Sequence, residues 1–446
     1  MTGSGYLWPR LVIGVLVALM AACERPFVEE RPPAIEVIEP DLSVVQTAER
    51  LRLRLRATSF RPVDRVSVDG VAMTFVPDEA VWEADVALAR GHNALVVEAV
   101  DVNGVRGVDT LHAVRLPYHL PGGAPVLEAP RAGHTVTRLS DGSLLLAGGV
   151  AAADGPALGT AFLLAPGGTR FERLPDSLHG PRAGHTATRL PDGSVLFLGG
   201  SRRLDVPGLD ALVETAERFD PATRTFTRIP VEGEPIRRAF HTAVLRLEDG
   251  LPIVDLYGGR GDVQYRPAPR LGIRNDLRSF ALVRDTLRAL SPAPGPFIAP
   301  LTGHTQTPVD QADETRARRF LVLGAFFDGA FADVTSLFFD YDPTLGLFID
   351  PAPPPLLPRT RHAAVHLRPG FVLVLGGRQG TGLPSDADVY VEPARRFFRL
   401  PAADPEAFRR SSLTATFLGD GRILLTGGQG PDGSVQARTD LLTLDF

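Results

Sequence analysis

Residues 131–149 read Arg-Ala-Gly-His-Thr-Val-Thr-Arg-Leu-Ser-Asp-Gly-Ser-Leu-Leu-Leu-Ala-Gly-Gly, and residues 182–200 read Arg-Ala-Gly-His-Thr-Ala-Thr-Arg-Leu-Pro-Asp-Gly-Ser-Val-Leu-Phe-Leu-Gly-Gly. Two stretches this alike in one chain are copies of a structural unit, and the unit recurs. Weaker copies run from Arg238 through His241 and Asp249-Gly250 to Gly258-Gly259, and from Arg359 through His362 and Pro369-Gly370 to Gly376-Gly377. In a fifth, His304 leads across a polar insertion to Leu323-Gly324-Ala325. In a sixth, Arg410 leads through Asp420-Gly421 to Gly427-Gly428, with Leu413 in the histidine's place. The second glycine or its equivalent falls at 149, 200, 259, 325, 377 and 428, at steps of 51, 59, 66, 52 and 51. The downstream half repeats as well. A turn proline is followed five residues later by phenylalanine at Pro166/Phe171, Pro221/Phe226, Pro343/Phe348 and Pro393/Phe398.

Each unit therefore predicts four antiparallel strands: one from the histidine, a hairpin at Asp-Gly, a second into Gly-Gly, a third to the proline turn, and a fourth through the phenylalanine. One such sheet cannot bury its own faces, so the units must pack on one another. The twin glycines mark places where neighbouring backbones approach too closely for a Cβ. The twin-glycine unit with a period near 50 residues resembles the kelch repeat, which implies an all-β, six-bladed β-propeller over residues 126–446. The chain ends in a third strand, Leu441-Leu-Thr-Leu-Asp-Phe446. The expected fourth strand of the last blade is Val126-Leu-Glu-Ala-Pro130, because it precedes Arg131 as Phe171 to Pro175 precedes the next unit.

Upstream, residues 33–117 predict a small β domain. Leu51-Arg-Leu-Arg-Leu-Arg56 alternates with period two, Val66 to Val68 is joined to Val71 by Asp69-Gly70, and Leu95 to Val100 precedes Asn103-Gly104. About seven short strands are expected, with Trp82 facing inward. The pattern resembles the immunoglobulin-like β-sandwich modules of bacterial surface proteins, which implies a spacer role. Residues 118–125 read as a linker.

At the amino terminus, Leu11 to Ala22 is an uncharged run of twelve residues immediately before Cys23, the chain's single cysteine. The run has the length of a signal-peptide apolar region and falls short of the roughly 20 residues a spanning helix needs. Leu19-Met-Ala-Ala-Cys23 resembles the lipobox of bacterial lipoproteins. The resemblance implies removal of residues 1–22, acylation of Cys23, a short stalk over residues 23–32, and a membrane tether. Glu24 after the cysteine resembles the signal of the outer-membrane class.

Composition narrows the chemistry. All 47 basic residues are arginine and 52 are acidic, for a net charge of −5, which excludes a bulk-charge nucleic-acid binder and any lysine-dependent mechanism. One cysteine excludes internal disulfides and cysteine-rich metal sites. His134, His185, His241, His304 and His362 occupy equivalent positions on different strands and are expected to serve the framework, so no metal, cofactor or catalytic group is expected. Arg131, Arg182, Arg238, Arg359 and Arg410 form a second column. They would either ring one mouth and attract carboxylates or phosphates, or pair within their own sheets.

Two long post-glycine loops supply the remaining candidate ligand residues, Arg202 and Arg203 in one, and Tyr265, Arg266, Arg270 and Arg274 in the other. The expected function is a non-catalytic, membrane-anchored binding or scaffold protein taking protein, peptide or glycan on this loop face. The alternative is an enzyme on the same scaffold. A galactose-oxidase-like site needs a cysteine cross-linked to tyrosine, and the sole cysteine stands at 23. Sialidase-type Asp boxes end in tryptophan, and Trp8 and Trp82 both lie outside the repeats.

Overall fold

The computed structural model describes residues 31–446 except 234, 264–269, 291–298, 314, 328–330, 343–345 and 381. The signal-like segment and Cys23 thus lie outside the described residues. The chain is all-β. Residues 34–115 form two four-stranded antiparallel sheets, which share a core of Leu53, Leu55, Val66, Val97 and Trp82. Eight strands are present where about seven were expected. Asp69 and Gly70 both have positive φ (48° and 78°), as a two-residue type I′ hairpin requires.

Six further sheets follow the repeat. Each has four antiparallel strands, and the third gains Val231–Glu232 as a fifth, parallel edge. Their first strands are Ala132–Arg138, Thr186–Arg189, Thr242–Glu248, Thr305–Pro308, Thr360–Arg368 and Thr414–Gly419. These strands contact one another in cyclic order, the sixth returning to the first. The polar insertion of the fourth unit falls where expected, between Pro308 and Arg319. Of the marker phenylalanines, Phe171, Phe226 and Phe398 are buried, whereas Phe348 is 45% exposed.

Two circuits of main-chain hydrogen bonds join the sheets. In one, the residue before each histidine, or before Leu413, donates to its counterpart in the preceding sheet: Gly184 to Gly133, Phe240 to Gly184, Gly303 to Phe240, Arg361 to Gly303, Ser412 to Arg361, and Gly133 to Ser412. The N···O distances are 2.6–2.9 Å, and the circuit closes on itself. All six residues are left-handed, with φ between 52° and 67°. In the other, the second twin glycine donates to the following sheet: Gly149 to Arg182, Gly200 to Arg238, Gly259 to Leu301, Gly377 to Arg410 and Gly428 to Arg131.

These bonds explain the glycines. A Cβ on Gly148 would stand 2.5 Å from the Arg182 carbonyl oxygen and 2.6 Å from His185 Cε1, and one on Gly149 would stand 2.9 Å from both the Ala132 oxygen and His134 Cβ. Only a residue without a side chain lets the sheets meet this closely.

Two expectations are corrected. The fourth strand of the last sheet is Tyr118–His119, paired Tyr118 with Leu444 and His119 with Thr443, and not Val126 to Pro130. Val126 instead bonds to Thr169 and Phe171 along the edge of the first sheet, while Leu127 is wedged between Leu424 of the sixth sheet and Leu144 of the first. Burying Leu127 in that seam holds 126–130 away from the edge it was assigned, and residues 118 and 119 belong to the sheet rather than to a linker.

The amino-terminal sheets are also docked rather than held apart. Val45 donates to the Arg399 oxygen (2.8 Å), Arg399 to Ser43 (2.7 Å), Gln46 to Val114 and Leu116 to Gln46. Residues 43–46 thereby knit the edge of the fifth sheet to the amino-terminal module. Val45, Val114 and Leu116 share one core with Leu373, Val389 and Leu442.

The glycine argument separates two substitutions. Gly148→Ala should lower unfolding free energy by about 2–4 kcal/mol, from left-handed strain plus the clash. Gly167→Ala, at φ 72° with open space around it, should cost only about 1 kcal/mol. Urea denaturation of both variants checks the difference.

Candidate functional site

The five histidines turn their rings toward the neighbouring sheet. His185 Nε2 lies 3.0 Å from Thr135 Oγ1, His241 3.2 Å from Thr186, His304 3.1 Å from Thr242, and His362 2.8 Å from Thr305. His134 closes the series with Thr414 at 3.3 Å and Thr426 at 3.0 Å. The threonine is the residue after the preceding histidine, so His-Thr is a paired device: one sheet's threonine meets the next sheet's imidazole. Where the device is missing, both halves are missing. The fifth sheet carries Ala363 in place of threonine, the sixth carries Leu413 in place of histidine, and the two share an apolar cluster.

Burial pushes His134, His304 and His362 down to about 3, and His185 and His241 well below the ordinary value, so all five are neutral at pH 7. Among the described residues, no three His, Cys, Asp or Glu side chains are grouped to hold a metal ion.

The arginine column is not a ligand ring, which corrects its place among the candidates. Arg131, Arg182, Arg238, Arg359 and Arg410 are between 0% and 4% exposed. Each donates from Nη1 to the carbonyl of the first twin glycine of its own sheet: Gly148 (2.7 Å), Gly199 (3.0 Å), Gly258 (3.2 Å), Gly376 (3.0 Å) and Gly427 (2.8 Å). Four of them also meet an acid: Glu217, Asp276, Asp388 and Asp440 respectively. Arg131 uses Thr160 instead. The guanidinium fork bonds that glycine carbonyl together with a second acceptor.

The loop candidates divide. Arg202 is exposed, and Arg203 pairs with Asp205 at 3.2 Å. Strand Arg260–Val263 pairs antiparallel with Arg270–Ile273, and Tyr265 and Arg266 lie outside the described residues. Arg270 is exposed on the second of these strands. Arg274 is neutralised by Asp262 and Asp276 and lines a cleft of about 650 Å³ between this strand pair and the third sheet.

The residues before the histidines surround the axis at this same end, where a cavity of about 130 Å³ lies. Three of the six are glycine. Phe240, Arg361 and Ser412 are not, and the Arg361 guanidinium carbon sits 4.4 Å above the Phe240 ring. These residues were missed as candidates; the signal was their departure from glycine in an otherwise repeated Gly-His. At the opposite, hairpin end the axis opens into a wider cavity of about 820 Å³, lined by Val136, Arg138, Arg189, Leu245 and Leu247. No protein-family model matches the chain, and no curated protein is significantly similar to it.

The His-Thr device makes two predictions. His185→Leu and Thr135→Ala should each destabilise by about 1–3 kcal/mol, by leaving a buried partner unsatisfied, while the double variant should recover much of that loss, as Leu413 with Ala363 does. A denaturation double-mutant cycle measures the coupling. Acid should also weaken the fold from pH 6.5 downward. The unfolded chain then binds protons that the buried imidazoles refuse, at about 1.4 kcal/mol per pH unit per histidine, down to about pH 3 for His134, His304 and His362. Unfolding free energies at pH 7.5, 5.5 and 4.5 check the slope.

Proposed function

We propose that residues 118–446 form a six-bladed kelch-type β-propeller carrying an immunoglobulin-like sandwich at residues 33–117, and that the protein is a non-catalytic binding or scaffold protein. It is tethered to a bacterial membrane, of the outer-membrane class, through an acylated Cys23, and it takes protein, peptide or glycan on the post-glycine loop face. The fold reading is supported by the cyclic contact of six first strands and by the closed main-chain circuit. The observation that carries the functional reading is a division of labour. The buried arginine and histidine columns bond within or between sheets through Nη1 and Nε2, and Phe240, Arg361 and Ser412, which break the glycine column, line the cavity at one end of the axis. Side chains free of framework duty on a rigid support are what a binding surface consists of.

The docked amino-terminal module extends that support, because residues 43–46 bond to both bodies. No helix among the described residues is long and apolar enough to cross a membrane; the tether in this reading is the lipid on Cys23.

The test compares envelope-extract partners recovered on the wild-type chain and on Tyr265→Ala/Arg270→Ala, with Cys23→Ser as the anchor control. Loss of a specific partner with the loop variant, and release of Cys23→Ser from the detergent phase, are expected. Equal recovery of every partner would reject the loop face. Stoichiometric copper with oxidase turnover, or glycosidase activity, would replace the binding reading with an enzymatic one.

A further inference from the structure

Three arginines converge where the repeat departs from its own pattern. Arg361 occupies the left-handed position before His362 at φ 52°, which Gly133, Gly184 and Gly303 fill in other sheets. Left-handed backbone costs a non-glycine residue about 1–2 kcal/mol, and three glycines at equivalent places make the main-chain circuit without it. The circuit therefore does not require this arginine.

The side chain is nonetheless held in place. Its guanidinium stacks on Phe240 at 4.4 Å, and Nη2 donates to the Leu204 oxygen at 3.4 Å. Its stem passes so close to Gly303 that a Cβ there would come within 2.9 Å of Arg361 Cγ. Arg260 donates to the very next carbonyl of that loop, Asp205, at 3.2 Å. Arg378 follows the twin glycines of the fifth sheet and pairs in register with Thr360, the neighbour of Arg361. Arg260 is the equivalent residue of the third sheet, where the first, second and sixth carry Val150, Ser201 and Gln429.

Charge separates this cluster from all of the buried arginine column except Arg131, which bonds to Gly148 and Thr160 instead. Among the described residues, no carboxylate lies within ion-pair distance of Arg361, Arg260 or Arg378, whereas Arg182, Arg238, Arg359 and Arg410 each have one. Asp205, an opposing charge that acts on Arg361, pairs with Arg203 at 3.2 Å. Burial, then Arg378 and Arg260, press Arg361 down to about 10, which leaves it a cation at neutral pH. A chain with more acids than arginines has placed three cations here with no carboxylate within ion-pair distance of any of them among the described residues.

We propose that this axial mouth binds an oxyanion, a carboxylate or phosphate group of the ligand, with Arg361 as the fork that receives it and Arg260 and Arg378 as flanking cations. The Phe240 ring and the Leu204 carbonyl orient the guanidinium, so little rotamer freedom is lost on binding. The cavity at the mouth, about 130 Å³, accommodates the anionic group itself, and the rest of the ligand lies on the loop face. The proposal rests on the loop-face binding reading and names the ligand chemistry for it.

Isothermal titration of the mature chain with inorganic phosphate and with citrate, at constant ionic strength, tests it. Saturable binding of at least one anion is expected; phosphate alone, citrate alone or both identifies the source of the oxyanion. Arg361→Gly should weaken it at least tenfold without lowering the melting temperature, since glycine already fills this position in three sheets. Arg378→Gln, on an ordinary strand residue, should weaken it severalfold and provides the readout if Arg361→Gly is unstable. No saturable binding by the wild type, or affinity unchanged in both variants, would overturn the site. The two readings fail separately. Partner capture lost in Tyr265→Ala/Arg270→Ala with no anion binding keeps the loop face and removes the oxyanion site; anion binding lost in Arg361→Gly with capture indifferent to the loop variant does the reverse.

Discussion

The main-chain circuit at the axis sets the terms for everything around it. Six N–H groups and six carbonyls, one pair per sheet, bond from each sheet to the one before it, and the sixth bond returns to the first. Every participant must be left-handed to turn its N–H one way and its carbonyl the other. Buried backbone groups without partners would cost free energy comparable to a lost hydrogen bond, so the circuit and the strand spacing are a single constraint. The second set of bonds, running in the opposite sense from the twin glycines, fixes five of the same six seams.

Around this frame the repeat spends its polar residues on satisfaction rather than on chemistry. A buried arginine completes the hydrogen bonding of the first twin-glycine carbonyl, and a buried neutral histidine reaches the threonine of the preceding sheet. The joint replacement by Ala363 and Leu413 shows the logic inside one molecule. Losing one partner strands a buried polar group, whereas losing both leaves an ordinary apolar contact. The same logic bears on Arg361, which is costly in its backbone and has no carboxylate within ion-pair distance among the described residues, and on which the proposed oxyanion site rests.

Much of the architecture was legible from the repeat. The recurrent spacing of Asp-Gly or Pro-Gly from Gly-Gly in five of the six units located the hairpins and the close approaches, and period-two alternation located the amino-terminal strands. The closing strand was not legible. Tyr118–His119 is two residues long, and nothing local distinguishes it from Val126 to Pro130; burial of Leu127 between two sheets separates them, a contact between residues some 300 positions apart. Docking of residues 43–46 onto Arg399 was hidden for the same reason. Among site residues, the regular arginine column drew attention because it repeats, and repetition proved to mark framework. The informative arginine was the one that broke a glycine column.

What the sequence determined by itself is therefore the local and periodic: strand length, turn chemistry, the number of units, and the absence of lysine-dependent chemistry and of internal disulfides. Those follow from residue type and spacing within a few dozen positions. Tertiary structure decided which edges meet, which cations are buried against carbonyls and acids, and which remain unneutralised at the mouth. Partners in those contacts are brought together by ring closure across hundreds of residues, and a guanidinium's role depends on whether a carboxylate happens to stand beside it.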